Sequence, residues 1–175
     1  MATMTLLKQI RLLLLLFIAG LIVSGATAIP LETELKLLTE FAGVGGNTES
    51  IGFAGWLIKV RDALVATNAQ YPFIAYGTDW LAFAHFVIGV AFIGPLRDPV
   101  KNVWVIEFGM IACALVVPFA LGMGGVRGIP LGWRLIDCSF GVLGIIPLWF
   151  CRRLIKQMSE VRVLPRDSST SHELR

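Results

Sequence analysis

The sequence predicts an all-α fold: a polytopic transmembrane four-helix bundle with a partly helical extracytoplasmic loop. Three observations carry this. Apolar residues fall in long uninterrupted blocks, whereas strands and soluble helices alternate apolar with polar positions. Lys and Arg collect at the ends of those blocks, where they orient membrane helices. A mean hydropathy of +0.76, with only 15% charged residues, is too apolar for a soluble domain of this length.

The first block is Leu12–Ile29, preceded by Lys8 and Arg11. Two readings compete for it. Ala26-Thr27-Ala28 has the small-residue form of a signal-peptidase site, and cleavage there would leave three spans. Gly20, Ser24 and Ala28 recur every fourth residue, as on a small-residue face used for close helix packing. The retained helix is the expectation, with spans over about 12–29, 80–96, 102–122 and 133–150 of a membrane domain covering 1–156.

Residues 31–79 form the outer loop. Leu31–Phe41 has helical spacing, with Glu32 and Glu34 early, where the helix dipole favours acids. Gly43–Gly52 reads as a turn; no strand precedes it and no Lys-Ser or Lys-Thr follows, so it is not a phosphate loop. Phe53–Thr67 places Phe53, Trp56, Leu57, Val60 and Leu64 on one stripe, with Lys59 and Asp62 off it. Such a helix lies in the membrane interface or covers the bundle. Tyr71, Tyr76 and Trp80 suit an aromatic belt where the second span begins.

The second span, Trp80–Leu96, carries His85, and the third, Asn102–Gly122, carries Glu107 and a Pro118 expected to kink it. Gly124–Gly132 reads as a tight turn. The fourth span, Trp133–Phe150, carries Arg134 and Asp137 and ends in Arg152, Arg153 and Lys156. Residues 157–175 are polar and read as a solvated, disordered cytoplasmic tail. Lys8, Arg11, Arg97, Lys101, Arg152, Arg153 and Lys156 then share one side, which the positive-inside rule makes cytoplasmic. An inner (plasma) membrane location with both termini cytoplasmic follows as the expectation.

Ionisable groups within spans are costly and mark function by default, so His85, Arg134, Asp137 and Glu107 are the candidate site. At ~1.5 Å per helical residue, His85 lies about 9 Å and Asp137 about 8 Å below the outer boundary, with Glu107 lower and separate. Stripes rich in small residues continue from them along single faces: Gly89 after His85; Gly141, Gly144 and Leu148 after Asp137; Ile111, Ala114 and Pro118 after Glu107. The faces therefore read as inward. In the structural reading Arg134 and Asp137 form an interfacial salt bridge, and His85 bonds a backbone carbonyl. In the functional reading the cluster moves protons.

No cofactor or metal is expected. Cys113, Cys138 and Cys151 lack metal-ligand spacing and read as buried inert thiols. Bis-His haem ligation fails within one chain, since His172 lies in the tail; Met110 or Met123 with His85, or a dimer, would be needed. The net charge of +3 is dispersed at helix ends, so nucleic acid is excluded as a partner. The expected partners are the lipid bilayer and either another membrane protein or further copies. The function expected first is a non-catalytic subunit or accessory protein of a membrane complex. Proton or solute handling comes second and a membrane-embedded enzyme third.

Overall fold

A computed structural model describes residues 2–41 and 52–163, and all its regular structure is helical. The helices are α1 (Ala2–Ala28), α2 (Leu31–Phe41), α3 (Phe53–Gln70), α4 (Tyr76–Ala91), α5 (Ile93–Arg97), α6 (Val103–Val126) and α7 (Leu131–Val163). A 3₁₀ turn, Pro72–Ala75, leads into α4. Among the described residues four segments are long and apolar enough to cross a membrane: Met4–Ala28, Pro72–Arg97, Val103–Val126 and Leu131–Glu160. The Gly43–Gly52 turn, Gly52 excepted, and residues 164–175 with His172 lie outside the described residues.

Three boundaries differ from the sequence reading. The second span starts earlier, at the 3₁₀ turn, and breaks at Phe92. The break has a local cause, because Pro95 has no N–H to offer the Ala91 carbonyl. Asn102 ties the following corner: its side-chain amide donates to the Gly94 and Asp98 carbonyls at 3.2 and 2.9 Å. The fourth helix runs on through Val163, so residues 157–163 are helix and not tail. Buried Ile155 and Met158 explain this, since α7 still has a packed face past its charged turn. By contrast α6 passes unbroken through Pro118, and α7 through Pro147.

α6 ends in a Schellman motif. Gly128, at φ +69°, donates to the Gly125 carbonyl and Ile129 donates to Gly124, at 3.1 and 2.8 Å. Glycine is required there because other residues strain at positive φ. Pro130 then starts α7 antiparallel to α6, and the two helices pack along most of their length.

α1 lies between α4 and α7, and α6 packs on the far side of α7. The core is concentrated at the basic end: Ile10, Leu14, Phe92, Val105, Ile106, Leu148, Cys151, Ile155 and Met158. Lipid tails are as apolar as leucine, so within the bilayer these contacts stabilise by close packing and not by water exclusion. Glycines make that packing close. A Cβ at Gly109 would lie 2.6 Å from the Phe92 ring and 2.8 Å from Leu148, and one at Gly25 would lie 2.9 Å from the Ala82 carbonyl oxygen. The small-residue face read at Gly20 is corrected by this: a Cβ at Gly20 would meet nothing within 4 Å, and Gly25 makes the approach to α4.

α2 and α3 form a helical hairpin at the other end. Leu35, Leu57 and Ile58 are buried in it. Leu57 faces inward as read and Lys59 and Asp62 outward, but Phe53 is exposed and Ile58 is added. The stripe read at Phe53, Trp56, Leu57, Val60 and Leu64 is thus rotated toward Ile58. The rotation follows its polar ties. Arg61 donates to Thr39 Oγ1 at 3.2 Å and Asn68 donates to Glu32 at 2.7 Å, which turns that side of α3 toward α2. Phe53 stacks on Trp133 of α7, 5.5 Å between centroids, and joins the hairpin to the bundle.

Gly25→Val should lower the thermal melt in detergent through overpacking of about 1–3 kcal/mol, while Gly20→Ala should leave it unchanged or slightly raised. Equal effects would contradict the assigned α1–α4 contact. Hydrogen bonds from Lys36 and then Asn68 hold the Glu32 carboxyl below the ordinary glutamate value of about 4.3. A depressed folded-state pKa contributes stability above the unfolded value, and that contribution is lost as pH falls through the folded one. Protection of the α2 amides against hydrogen exchange, relative to their intrinsic rates, should therefore weaken as acid protonates Glu32, and Glu32→Gln should remove that dependence.

Candidate functional site

Aromatic side chains fix the depth scale. Tyr76, Trp80 and Trp133 stand at one end of the bundle, and Trp104 and Trp149 at the basic end, with Arg153 stacked 4.9 Å from the Trp149 ring. Along α7, Trp133 and Trp149 are about 24 Å apart at ~1.5 Å per residue, close to the ~30 Å of a hydrocarbon core with its interfacial aromatic belts.

His85 lies on the α4 face against α1, its Cβ 3.0 Å from where a Cβ on Gly25 would sit. Its Nδ1 is 2.8 Å from the Leu81 carbonyl oxygen one turn earlier in the same helix. Neutral histidine in this arrangement carries its proton on Nδ1 and leaves Nε2 as an acceptor. The backbone-carbonyl bond is the one the structural reading expected.

Arg134 does not pair with Asp137, which corrects the expected salt bridge. The arginine stem crosses Gly124, where a Cβ would lie 2.6 Å from both Cγ and Cδ, and its Nη1 reaches 3.2 Å from the corresponding point at Gly125. That guanidinium nitrogen donates to the Leu121 carbonyl at 3.3 Å. The physical reason is the negative end of the α6 dipole: Leu121 lies in the last turns of the helix, and the guanidinium adds a second donor to its carbonyl. Two glycines open a channel through which the cation reaches it. The buried Nε atom has no hydrogen-bond partner among the described residues.

Asp137 is half-buried, about 6 Å inside the Trp133 belt at one turn along α7. Among the described residues it makes no hydrogen bond or ion pair. Its stripe continues as read through Gly141, packed on the Cys113 carbonyl, Gly144, packed on the Cys113 sulfur, and buried Leu148.

Glu107 is separate, at the basic end, where Arg152 of α7 donates to its Oε1 at 2.7 Å. The Glu107 stripe does not face inward as the sequence reading held. Ile111 is 60% exposed, and Ala114 and Pro118 are exposed too. α6 instead packs through Val105, Ile106, Gly109 and Gly124. An all-round apolar helix gives its small residues no unique face, and the glycines won over alanine and proline.

Contact register brings His85 and Asp137 to one depth. Phe17 of α1 meets Phe92 of α4 and lies against Gly144 of α7, while Gly25 meets His85. Both neighbours run antiparallel to α1, so following it upward from Phe17 sets Ser24 level with His85 on one side and Asp137 on the other. Glu107 and Arg152 are about 20 Å lower. No hydrogen bond or ion pair joins any two of the four candidates among the described residues. Sequence reasoning missed Arg152 as the Glu107 partner, although both lie near the same end of adjacent antiparallel spans. It also missed Gly124-Gly125 as a seat for Arg134, signalled by an arginine just past a glycine-rich turn.

A cleft of about 320 Å³ opens where the α1–α2 corner, the end of α3 and the start of α4 meet, lined by Glu32, Thr33, Thr67, Asn68, Ile74 and Thr78. Its carboxylate is already engaged by Lys36 and Asn68. The cysteines are all free, with Cys138 and Cys151 buried.

A double-mutant cycle on Arg134→Met and Asp137→Asn should give additive effects on the detergent melt, within about 0.5 kcal/mol, as for groups with no shared partner. Coupling above about 1 kcal/mol would restore the salt bridge. The cycle on Glu107→Gln and Arg152→Gln should give coupling of up to about 1 kcal/mol, since both side chains are more than 40% exposed and the pair is screened. No protein-family model matches this chain, and no curated protein or solved structure matches it either.

Proposed function

We propose that this chain is a small non-catalytic subunit or accessory protein of a membrane complex. The observation that carries the reading is the use made of its intramembrane ionisable groups. His85 bonds its own helix, Arg134 ties α7 to the Leu121 carbonyl of α6, and Glu107 ties α6 to Arg152 of α7. Three of the four are thus spent on holding helices, at separate places. Each span also presents broad apolar faces, such as Phe108, Ile111, Leu115 and Phe119 on α6, which suit lipid and neighbouring helices alike.

The same reading places the protein in the inner (plasma) membrane with the basic end and both termini in the cytoplasm, on the side bias of Lys8, Arg11, Arg97, Lys101, Arg152, Arg153 and Lys156. Retention of α1 is supported by Ile10 and Leu14, both fully buried, and by Arg11, which donates to the Leu96 carbonyl at 3.2 Å. A second reading, proton or solute handling, draws on the common depth of His85 and Asp137. It predicts a flux in proteoliposomes that Asp137→Asn abolishes.

Native mass spectrometry of the detergent-extracted protein tests the first reading. A hetero-complex or a defined homo-oligomer is expected, and a stable monomer free of protein partners would count against it. Reporter fusions after Arg97 and Lys156 should read as cytoplasmic, and one at Asn47 as external.

A further inference from the structure

We infer that Asp137 and His85 form the docking point for a transmembrane helix of a partner subunit, one carrying a lysine or arginine in the third of its span nearest the Trp133 belt. The inference rests on the accessory-subunit reading and names the chemistry of the partner.

The seam that the helix would enter is defined by what closes its lower end. At Gly109 of α6, Phe92 from α4 and Leu148 from α7 meet, and Phe17 of α1 backs the Phe92 ring at 4.7 Å. Above that plug α4 continues along α1, while α6 continues along α7. α4 and α6 therefore form the two walls of a seam that opens toward the Trp133 belt.

Two polar groups stand over the plug. His85 is about two turns above Phe92 on the same face of α4, and Asp137 is about three turns above Leu148 on the same face of α7. They reach the same level, that of Ser24, from opposite sides. Each side chain thus looks over the residue that seals the seam below it.

Both groups offer acceptors. The Asp137 carboxylate has no hydrogen bond or ion pair among the described residues, and a carboxylate within a span is normally found paired. The nearest cation along α7, Arg134, points elsewhere, its guanidinium on the Leu121 carbonyl in the glycine channel. His85 spends its Nδ1 proton on Leu81 and presents the Nε2 lone pair. A carboxylate and an imidazole nitrogen at one level are complemented by a donor-rich cation, which lysine and arginine supply and an acidic or acceptor-only group does not. Apolar walls such as Leu81, more than half exposed in the isolated chain, match the rest of such a helix.

The test uses the full chain in its native membrane, with a photo-crosslinking residue at Leu81 on the seam and, as control, at Ile111 on the exposed face of α6. The seam position should give one adduct of defined mass, and the control should not. Asp137→Asn should reduce that adduct roughly tenfold or more, as expected when a desolvated charge pair loses one member, and Asp137→Glu should largely retain it. The adduct's sequence should show Lys or Arg in the stated third of a span, and exchanging charges between that residue and Asp137→Lys should restore crosslinking. Detergent melts of both Asp137 variants control for folding, and the charge exchange decides the matter should Asp137→Asn prove unstable. A full-strength adduct from a folded Asp137→Asn chain, or a partner without that basic residue, overturns this inference and leaves the subunit reading intact. A chain that crosslinks to nothing and purifies alone overturns both.

Discussion

The Phe92 ring, wedged between Phe17 and Gly109 where Pro95 interrupts the second span, sets the register of the other helices. Membrane helices have no solvent-driven reason to meet, so contact must come from surfaces that fit. A missing Cβ at Gly109 admits the ring, and the ring fills the junction of α1, α6 and α7. From that point upward the antiparallel register of α1 follows, which levels Ser24 with His85 and Asp137. Below it the same register buries Ile155 and Met158 against the start of α1 and carries α7 well past the basic turn. The core is consequently uneven, dense at the basic end and sparse toward the opposite belt.

Within the spans, Arg134 and Glu107 find their partners on the neighbouring helix. Arg134 has an acid one turn away on its own helix, yet its side chain crosses to the carbonyl end of α6. The last turns of a helix carry the negative end of its dipole, and the two glycines leave room for the stem. Glu107 meets Arg152 at the belt, where long side chains reach the interface and the cost of charge is lower. Asp137 is left with a position but no counter-charge, so the polar layer is electrically incomplete within one chain.

Long apolar blocks made the spans and the all-helical class legible, because hydropathy over a whole segment survives errors at single residues. Facing was harder to read. In a helix apolar on every side, a small residue is a packing residue on one face and merely small on another. Gly20 and Gly25 are small residues on different faces of one helix, and so are Ala114 and Gly109. Asp137, Gly141, Gly144 and Leu148 were read correctly, since a charge and two glycines on one stripe left little choice. The Arg134 contact depends on the Schellman turn that swings α7 back over the end of α6, and spacing along a single helix carries no trace of it. The α3 face was misread for a related reason: Arg61 and Asn68 look solvent-seeking by type, but they turn inward to Thr39 and Glu32.

The tight Gly128 corner has a consequence for the order of assembly. It makes α6 and α7 a self-contained hairpin whose contacts are local and form as soon as both helices have left the ribosome. α1 is in the opposite position. Its hydrogen bond from Cys151 to the Ile10 carbonyl spans 141 residues of chain, and its buried face needs α7 as much as α4. α1 is made before α7 and must therefore wait in the bilayer, about half its packing surface uncovered, until α7 arrives.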